Sequence, residues 1–308
     1  MPTDLNAKTI LLVALGIVTA IYLFILWRGL ARARDTAIAD GAANVTIGGI
    51  ATGFFANFWD TLGIGSFATT TTIFRHWKMV RDEWIPGTLN VGHTLPTIVQ
   101  AFIYTKIVPV DSLTLILMIV AAIVGAWLGA GVVARWPRRW VQIGMGLALV
   151  TAAVLMLIAQ LQANPAGGTA LGLSGSKLAL AVGGNFALGA LMTLGIGLYA
   201  PCMILVSLLG MNPTTAFPIM MGSCAFLMPI ASARFIRERS YHPGISAGLM
   251  LGGIPAVLIA ALIVKSLPLS AVRILVIVVV LYTAVNLLLT AARERQTTPS
   301  REPGPVTL

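Results

Sequence analysis

The sequence predicts an all-α polytopic membrane protein. Two inverted repeats are expected, each a Gly-interrupted re-entrant helical hairpin followed by three transmembrane helices, with one extra transmembrane helix at the N-terminus. Three observations carry this reading. The apolar residues are gathered in blocks of membrane length. One pentapeptide recurs at a long offset. The basic residues sort to one side of a bilayer only if the two glycine-interrupted stretches turn back on themselves.

The chain has 308 residues, 57% hydrophobic and 10% charged, with a mean hydropathy of +0.91. A soluble domain needs more polar surface than that. No Asp, Glu, Lys or Arg interrupts Thr9 to Trp27, Leu113 to Ala134, Val141 to Ser176 or Leu178 to Ala233. A hydrocarbon core about 30 Å thick takes roughly 20 apolar residues per helix, so these blocks are long enough to span. The lipid bilayer is therefore the first expected partner. A net charge of +10 would suit nucleic acid, but the basic residues sit at the ends of apolar blocks and no nucleic-acid motif is present. Nucleic acid is excluded as a partner. Cys202 and Cys224 lie inside apolar segments, with neither a CxxC pair nor a histidine at ligand spacing, and no metal or cofactor is expected.

Thr9 to Trp27 is the extra helix. Ala31-Arg32-Ala33 loosely resembles a signal-peptidase site. The apolar stretch is long, however, only Lys8 and Asp4 precede it, and Arg28, Arg32 and Arg34 follow. That charge step favours a retained anchor with its N-terminus outside. Residues 1–42 are read as this anchor and a cytoplasmic linker. The polar tail 293–308 is read as cytoplasmic and disordered.

The pentapeptide Thr61-Leu62-Gly63-Ile64-Gly65 returns as Thr193-Leu194-Gly195-Ile196-Gly197, 132 residues later. At the same offset Phe54 meets Phe186, Ala68 meets Ala200, Met79 meets Met211 and Pro86 meets Pro218. One residue out of register, Pro137 meets Pro268. Residues 43–162 and 177–292 are thus read as duplicates, joined by an extracytoplasmic linker at 163–176. Glycines permit backbone in a left-handed region at mid-membrane. Such backbone is tolerated there only when it is buried in protein or lines a wet cavity, and paired interruptions point to a transporter binding site. The competing reading is that the glycines are close-packing contacts between intact helices.

Charge decides how the segments run. If each interrupted stretch crosses once, Arg75, Lys78, Arg81, Arg135, Arg138 and Arg139 fall opposite Arg28, Arg32 and Arg34. If each is a hairpin, spans follow at 84–105, 111–134 and 139–161, then at 214–235, 243–265 and 270–292. The inside then holds 15 basic residues and the outside only Lys8, Lys106, Lys177, Lys265 and Arg273. The positive-inside rule selects the hairpins. A hairpin plus three spans reverses side, so the second unit is inverted, and both hairpin tips meet near the midplane. The expected location is a bacterial-type inner membrane, multi-pass, with the C-terminus cytoplasmic.

The short second limbs begin at Ser66 and Leu198. Their first N–H groups lack helical partners and carry the positive end of the helix dipole, which suits an anion. Candidate binding residues around the first tip are Asn57, Thr61, Gly63, Gly65, Ser66, Thr69 and Thr70. Around the second they are Thr193, Gly195, Gly197, Tyr199 and Cys202. The hydroxyls of Thr69 to Thr72 equally suit bonds back to their own helix, and Tyr199 equally suits packing. The halves differ in polarity. Asp60 is opposite Met192, His93 opposite Ala225, Asn57 opposite Gly189 and Asn90 opposite Gly222. Ionisable groups at membrane depth point to function, so Asp60 and His93 are expected to pair and carry a proton. Their plain alternatives are a helix-end group in a wet mouth and a satisfied packing residue. Asn90, His93, Thr94 and Thr97 form one polar stripe before Gln100 that suits a cavity or a partner helix rather than lipid, so Asn90 and His93 join the candidate binding residues, and Pro96 is expected to kink that helix.

The two Gly-Ile-Gly turns at 63–65 and 195–197, the Pro201 region and the duplicated order of spans resemble the TauE/SafE family of sulfite and organosulfonate exporters. The resemblance covers 45–292. It implies a transporter of sulfur-containing or carboxylate anions, each half opened by a glycine-rich turn. Ser66-Phe67 and Leu198-Tyr199 follow the turns where the family continues with glycines, and Thr69 stands opposite Pro201. These departures lie at the expected site, so the substrate is not carried over.

The expected function is a secondary transporter, an exporter by the resemblance, for a small anion such as a sulfonate, sulfite or carboxylate. Alternating access and coupling to a proton or sodium ion go with it. An anion channel is the alternative. No Walker A sequence is present. HExxH is also absent, and His76, His93 and His242 do not cluster, which disfavours an intramembrane enzyme. Broken helices argue against a purely structural subunit. A homodimer is allowed but no motif specifies one.

Overall fold

A computed structural model describes residues 2–39, 44–133, 138–161, 168–192 and 197–297. Those residues are almost wholly helical, and the only β pairing among them is an isolated bridge between Ala170 and Met211. After α1 (Pro2–Ala39), one order of elements occurs twice. A long helix is followed by a short one and then by three long ones. The first series is α2 (Ile47–Thr61), α3 (Ser66–His76), α4 (Ile85–Ile107), α5 (Ser112–Val133) and α6 (Arg138–Leu161). The second is α7 (Gly175–Met192), α8 (Tyr199–Leu208), α9 (Ala216–Glu238), α10 (Pro243–Ser266) and α11 (Leu269–Thr297). The helices coincide with the expected spans and hairpin limbs to within a few residues.

Four stretches among the described residues are long and apolar enough to cross a membrane: Ala7–Ala31, Pro213–Glu238, Pro243–Ser266 and Ser270–Arg293. The chain is a helical membrane protein. In α5 and α6 the described apolar stretches are shorter, Ser112–Leu128 and Gln142–Thr151, and α4 carries the polar stripe.

Both short limbs double back. Met79, just beyond α3, lies beside Thr52 and Gly48 in the first turns of α2. Likewise the Asn212 N–H, beyond α8, donates to the Ala170 carbonyl ahead of α7 at 2.8 Å. The two hairpins open toward opposite ends of the bundle. At one end the mouth of the first sits with the start of α10, where Gly49 meets Ile245 and Gly248, and with the end of α9, where Gly87 meets Phe235. At the other, the mouth of the second sits with the start of α5, where the Asp111 N–H donates to the Leu171 carbonyl at 2.8 Å. There Tyr104 at the end of α4 stacks on Phe217 at the start of α9, ring centroids 5.2 Å apart.

Glycine sets the closest helix pairs. α2 packs on α10 and α7 packs on α5. Gly49 and Gly53 lie one turn apart on α2, and Gly248 and Gly252 lie one turn apart on α10, facing them. Small residues at this spacing let backbones touch, and in a bilayer that packing, rather than a hydrophobic force, holds helices together. A Cβ on Gly53 would stand 2.6 Å from the Leu249 Cα. In the α5·α7 pair Gly125 faces the Phe186 backbone and Gly189 faces the Ala122 backbone. Glycine therefore serves close packing along the helices and, as shown below, breaks the helix at the first tip.

α1 packs on α9, α4 and α5 through a stripe of Leu15, Tyr22 and Leu26, and the Tyr22 hydroxyl donates to the Val91 carbonyl at 2.9 Å. Its other face, with Ile10, Val13, Ile17 and Trp27, is exposed and suits lipid.

Between α9 and α10, outside the apolar stretches, His242 caps α10. Its Nδ1 accepts the Ile245 N–H at 3.2 Å, and its own N–H donates to Thr88 Oγ1 on α4 at 2.9 Å. Burial, with Arg81 acting in the same sense, holds the His242 pKa below its ordinary value. A protonated Nδ1 is a donor and cannot accept the Ile245 N–H.

Gly53→Leu should lower the thermal unfolding midpoint in detergent by an amount equivalent to at least about 2 kcal/mol. Gly183→Ala, where an added Cβ meets open space, should raise it slightly. The His242 contribution should be complete above the ordinary imidazole pKa of about 6.5 and be withdrawn as pH falls below it. His242→Asn, which keeps a capping oxygen, should remove that part of the pH dependence in the same melts.

Candidate functional site

The helix of the first hairpin breaks because of two glycines. α2 ends at Thr61. Gly63 (φ +98°) and Gly65 (φ +86°) then turn the chain, and α3 starts at Ser66. Gly65 has ψ +130°, a region that is essentially closed to residues with a side chain. A Cβ on Gly63 would lie 3.0 Å from Met203 Sδ on α8, so the first tip abuts the second hairpin. In the second hairpin α7 ends at Met192 and α8 begins at Tyr199. Thr193 and Gly195 lie outside the described residues. Gly197 is described, and an added Cβ there meets nothing within 4 Å.

The break leaves the first N–H groups of α3 without helical partners. Gly65 occupies the N-cap and offers no side chain. Asp60 fills the gap: its Oδ1 accepts the Ser66 N–H at 2.6 Å. The seat expected for a substrate anion at the first tip thus holds a carboxylate of the chain itself. Asp60 Oδ2 accepts from Gln100 Nε2 at 2.9 Å. The same amide nitrogen donates to Thr61 Oγ1 at 2.9 Å. Gln100 Oε1 in turn accepts the Tyr199 hydroxyl at 3.2 Å. A continuous line of hydrogen bonds therefore runs from the first hairpin, through α4, to the first residue of α8. All its members are buried, with Asp60 3% and Gln100 0% exposed. Among the described residues no lysine or arginine is salt-bridged to Asp60; the salt bridges there, such as Arg75–Asp82, are exposed.

A second polar line lies one turn back. His93 Nδ1 is 3.1 Å from Asn57 Oδ1, and His93 Nε2 is 3.1 Å from Thr70 Oγ1. A neutral imidazole can satisfy this pair as donor and acceptor, with Asn57 Oδ1 requiring the proton on Nδ1. Asn57 Nδ2 donates back to the Gly53 carbonyl at 2.7 Å. The expected Asp60–His93 pair is replaced by two separate lines. Asp60 answers the helix break and His93 ties α4 to both limbs of the hairpin.

The other candidates divide. Thr61, Ser66 and Thr70 belong to these lines, and Gly63 and Gly65 make the turn. Thr69 is half-buried beside them. Asn90 lies near the start of α4, its amide donating to the Pro86 carbonyl at 2.9 Å. Cys202 is fully buried in the first turn of α8, and both cysteines are free thiols. Thr94 pairs with Ser232 across the α4–α9 seam at 2.9 Å. Gln100 is the central residue that the sequence reading passed over as the end of a stripe. Its signal was its place two turns beyond His93, an amide on the same face of an otherwise apolar helix end. Among the described residues no group of His, Cys, Asp and Glu could hold a metal ion.

The fold and this buried network define a helical membrane protein with two broken-helix hairpins, one of them carrying an ionisable residue at its break. Comparison with protein-family models, with curated proteins and with solved structures found no match for the chain.

The two turn glycines separate conformation from space. Gly65→Ala should cost about 1–3 kcal/mol from backbone strain alone, although an added Cβ there has open space. Gly63→Ala should cost more, since Met203 must also move. Unfolding midpoints of the two variants in detergent would check the order.

Proposed function

We propose that the protein is a secondary transporter of a small anion in a bacterial-type inner membrane, built from inverted repeats 43–162 and 177–292. The observation that carries this reading is the buried Asp60–Gln100–Tyr199 line between the two hairpins. An ionisable group with neutral partners, at a helix break inside an apolar bundle, carries a cost that a neutral cap such as serine or asparagine would avoid. Coupling a transport cycle to a proton is a use that matches that cost. The hairpins opening toward opposite ends, and the matched pairs α2·α10 and α7·α5, support the inverted relation. The charge count puts the mouth of the first hairpin on the cytoplasmic side.

The difference between the halves assigns the roles. Asp60 neutralises the α3 end and serves as the proton site. Met192, its counterpart, cannot neutralise α8. The α8 N-terminus has no side-chain cap, and it opens beside Gly197 with the Tyr199 hydroxyl at its first residue. The anion sits there, held by backbone N–H groups and that hydroxyl. The likeness of the turns to the TauE/SafE pattern supports a small anion as cargo without choosing which. Rocking of one part of the bundle against the other would give alternating access.

In liposomes, uptake of sulfite, thiosulfate, a C2 sulfonate, taurine, lactate and sulfate should reveal saturable flux of at least one anion, with counterflow, stimulated by a pH gradient. Asp60→Asn should keep flux down the anion gradient and lose the stimulation. Unsaturable flux without counterflow would indicate a channel. No flux in vesicles holding folded protein would overturn the reading.

A further inference from the structure

We propose that Gln100 is a switch that reports the protonation of Asp60 to the second hairpin: its amide turns over when Asp60 takes up a proton, and this frees the Tyr199 hydroxyl to donate to an anion. The inference rests on the carrier reading and deepens it, because it states why proton and anion would travel together.

The argument starts from the donor and acceptor count. A carboxylate only accepts. With Asp60 ionised, Gln100 must present its NH2 group to Oδ2, as it does at 2.9 Å. Its carbonyl then faces Tyr199, whose hydroxyl must donate, as it does at 3.2 Å. The one proton of the tyrosine is committed inside the protein. When a proton from the open mouth binds Asp60 Oδ2, that oxygen becomes a donor, and two donors would confront each other. A half-turn of the Gln100 amide, which exchanges groups of nearly equal size, removes the conflict. The acid then donates to Oε1. Nε2 donates to the Tyr199 oxygen, and the tyrosine O–H is released from Gln100, with the Thr97 hydroxyl as its remaining neighbour on α4.

The neighbours tolerate both states. Oδ1 keeps the Ser66 N–H in each, so the α3 cap is unbroken. Thr61 Oγ1 accepts from Nε2 at 2.9 Å and donates to the Asn57 carbonyl at 2.7 Å; when the amide turns over, its hydroxyl rotates to donate to Oε1 instead. One proton enters at Asp60 and leaves from it, and no other group gains or loses one. The titratable groups around Asp60 are Tyr199 on α8, Cys224 on α9, and Tyr104 and His93 on α4. α3 carries Arg75 and His76 and α10 carries Lys265, all in exposed last turns. The switch is thus between Asp60 and Tyr199, with Gln100 as the positioning residue.

A released hydroxyl on the first residue of α8 adds a donor to the element where the anion is proposed to sit. The anion therefore binds better to the Asp60-protonated protein, and by linkage the anion favours proton uptake to the same degree. Proton and anion load in a ratio of one to one.

The test has two arms on the full-length protein in detergent. Infrared difference spectra between acidic and alkaline buffer, with ring-labelled tyrosine, read the relay without any anion. An acid C=O band absent in Asp60→Asn should appear together with a shift of a tyrosine C–O band absent in Tyr199→Phe. In Gln100→Met, which preserves volume, the acid band should remain and the tyrosine shift should vanish. Equilibrium binding of ethanesulfonate, lactate and sulfate reads the coupling, since their own charges stay constant over this range. Affinity for the anion bound should rise about tenfold per unit fall in pH above the range where the acid band appears. The slope should be flat in Gln100→Met, and flat and tight in Asp60→Asn, whose amide donates to Oε1 as the acid would. A tyrosine shift that survives in Gln100→Met, or a binding slope unchanged in it, overturns the switch. A tyrosine shift that behaves as expected while none of the three anions binds supports the switch and overturns the carrier reading.

Discussion

A bilayer core offers no water to backbone N–H and C=O groups, so a helix broken there must find every partner inside the protein. That constraint organises this molecule. The Gly63–Gly65 turn exposes the first N–H groups of α3, and the side chain that answers is Asp60, from the last turn of the same hairpin. Asp60 needs donors of its own, which brings in Gln100 from α4. Gln100 has a carbonyl left over, which brings in Tyr199 from the other half of the chain. One unsatisfied turn of backbone thus recruits three elements, and the tertiary arrangement at the centre follows from the accounting of hydrogen bonds.

The bundle around that centre is held in a different way. Hydrophobic burial does little to join helices that already sit in hydrocarbon. Backbone contact does more, and glycine allows it at Gly49, Gly53, Gly248 and Gly252 between α2 and α10, and at Gly125 and Gly189 between α5 and α7. The long limb of each hairpin is clamped by a helix of the other series. A short limb such as α3, by contrast, touches its surroundings more lightly and ends in exposed charges at Arg75 and His76. This contrast sets α3 apart from α2, α7, α5 and α10.

The difference between the halves is chemical rather than architectural. Asp60, Asn57 and His93 lie in the first series, opposite Met192, Gly189 and Ala225. A twofold arrangement with an acid on both sides would set two carboxylates against each other across the seam. With one acid and one tyrosine, the first hairpin and the start of α8 meet as acceptor and donor through Gln100. The asymmetry is what allows a directed line of hydrogen bonds across an otherwise paired frame.

Much of the frame was legible along the chain. Block length and the repeated Thr-Leu-Gly-Ile-Gly determined a helical membrane protein and the approximate limits of its helices, because apolar spans answer to the bilayer and not to neighbouring residues. Polar residues in apolar helices likewise marked Asp60, His93 and Asn57. Which of them bond could not be read there. Spacing on α4 places His93 and Gln100 on one face, but only the packing of α2 and α3 against that face decides that Asn57 and Thr70 take the histidine while Gln100 takes Asp60. Nor does spacing show that the α3 end is already occupied, since Asp60 reaches it through a turn whose shape depends on Gly63 and Gly65 adopting positive φ against Met203. Local sequence determined where the backbone breaks; the folded bundle decided what satisfies the break, because hydrogen bonds between elements depend on angstrom-scale contacts that periodicity does not encode.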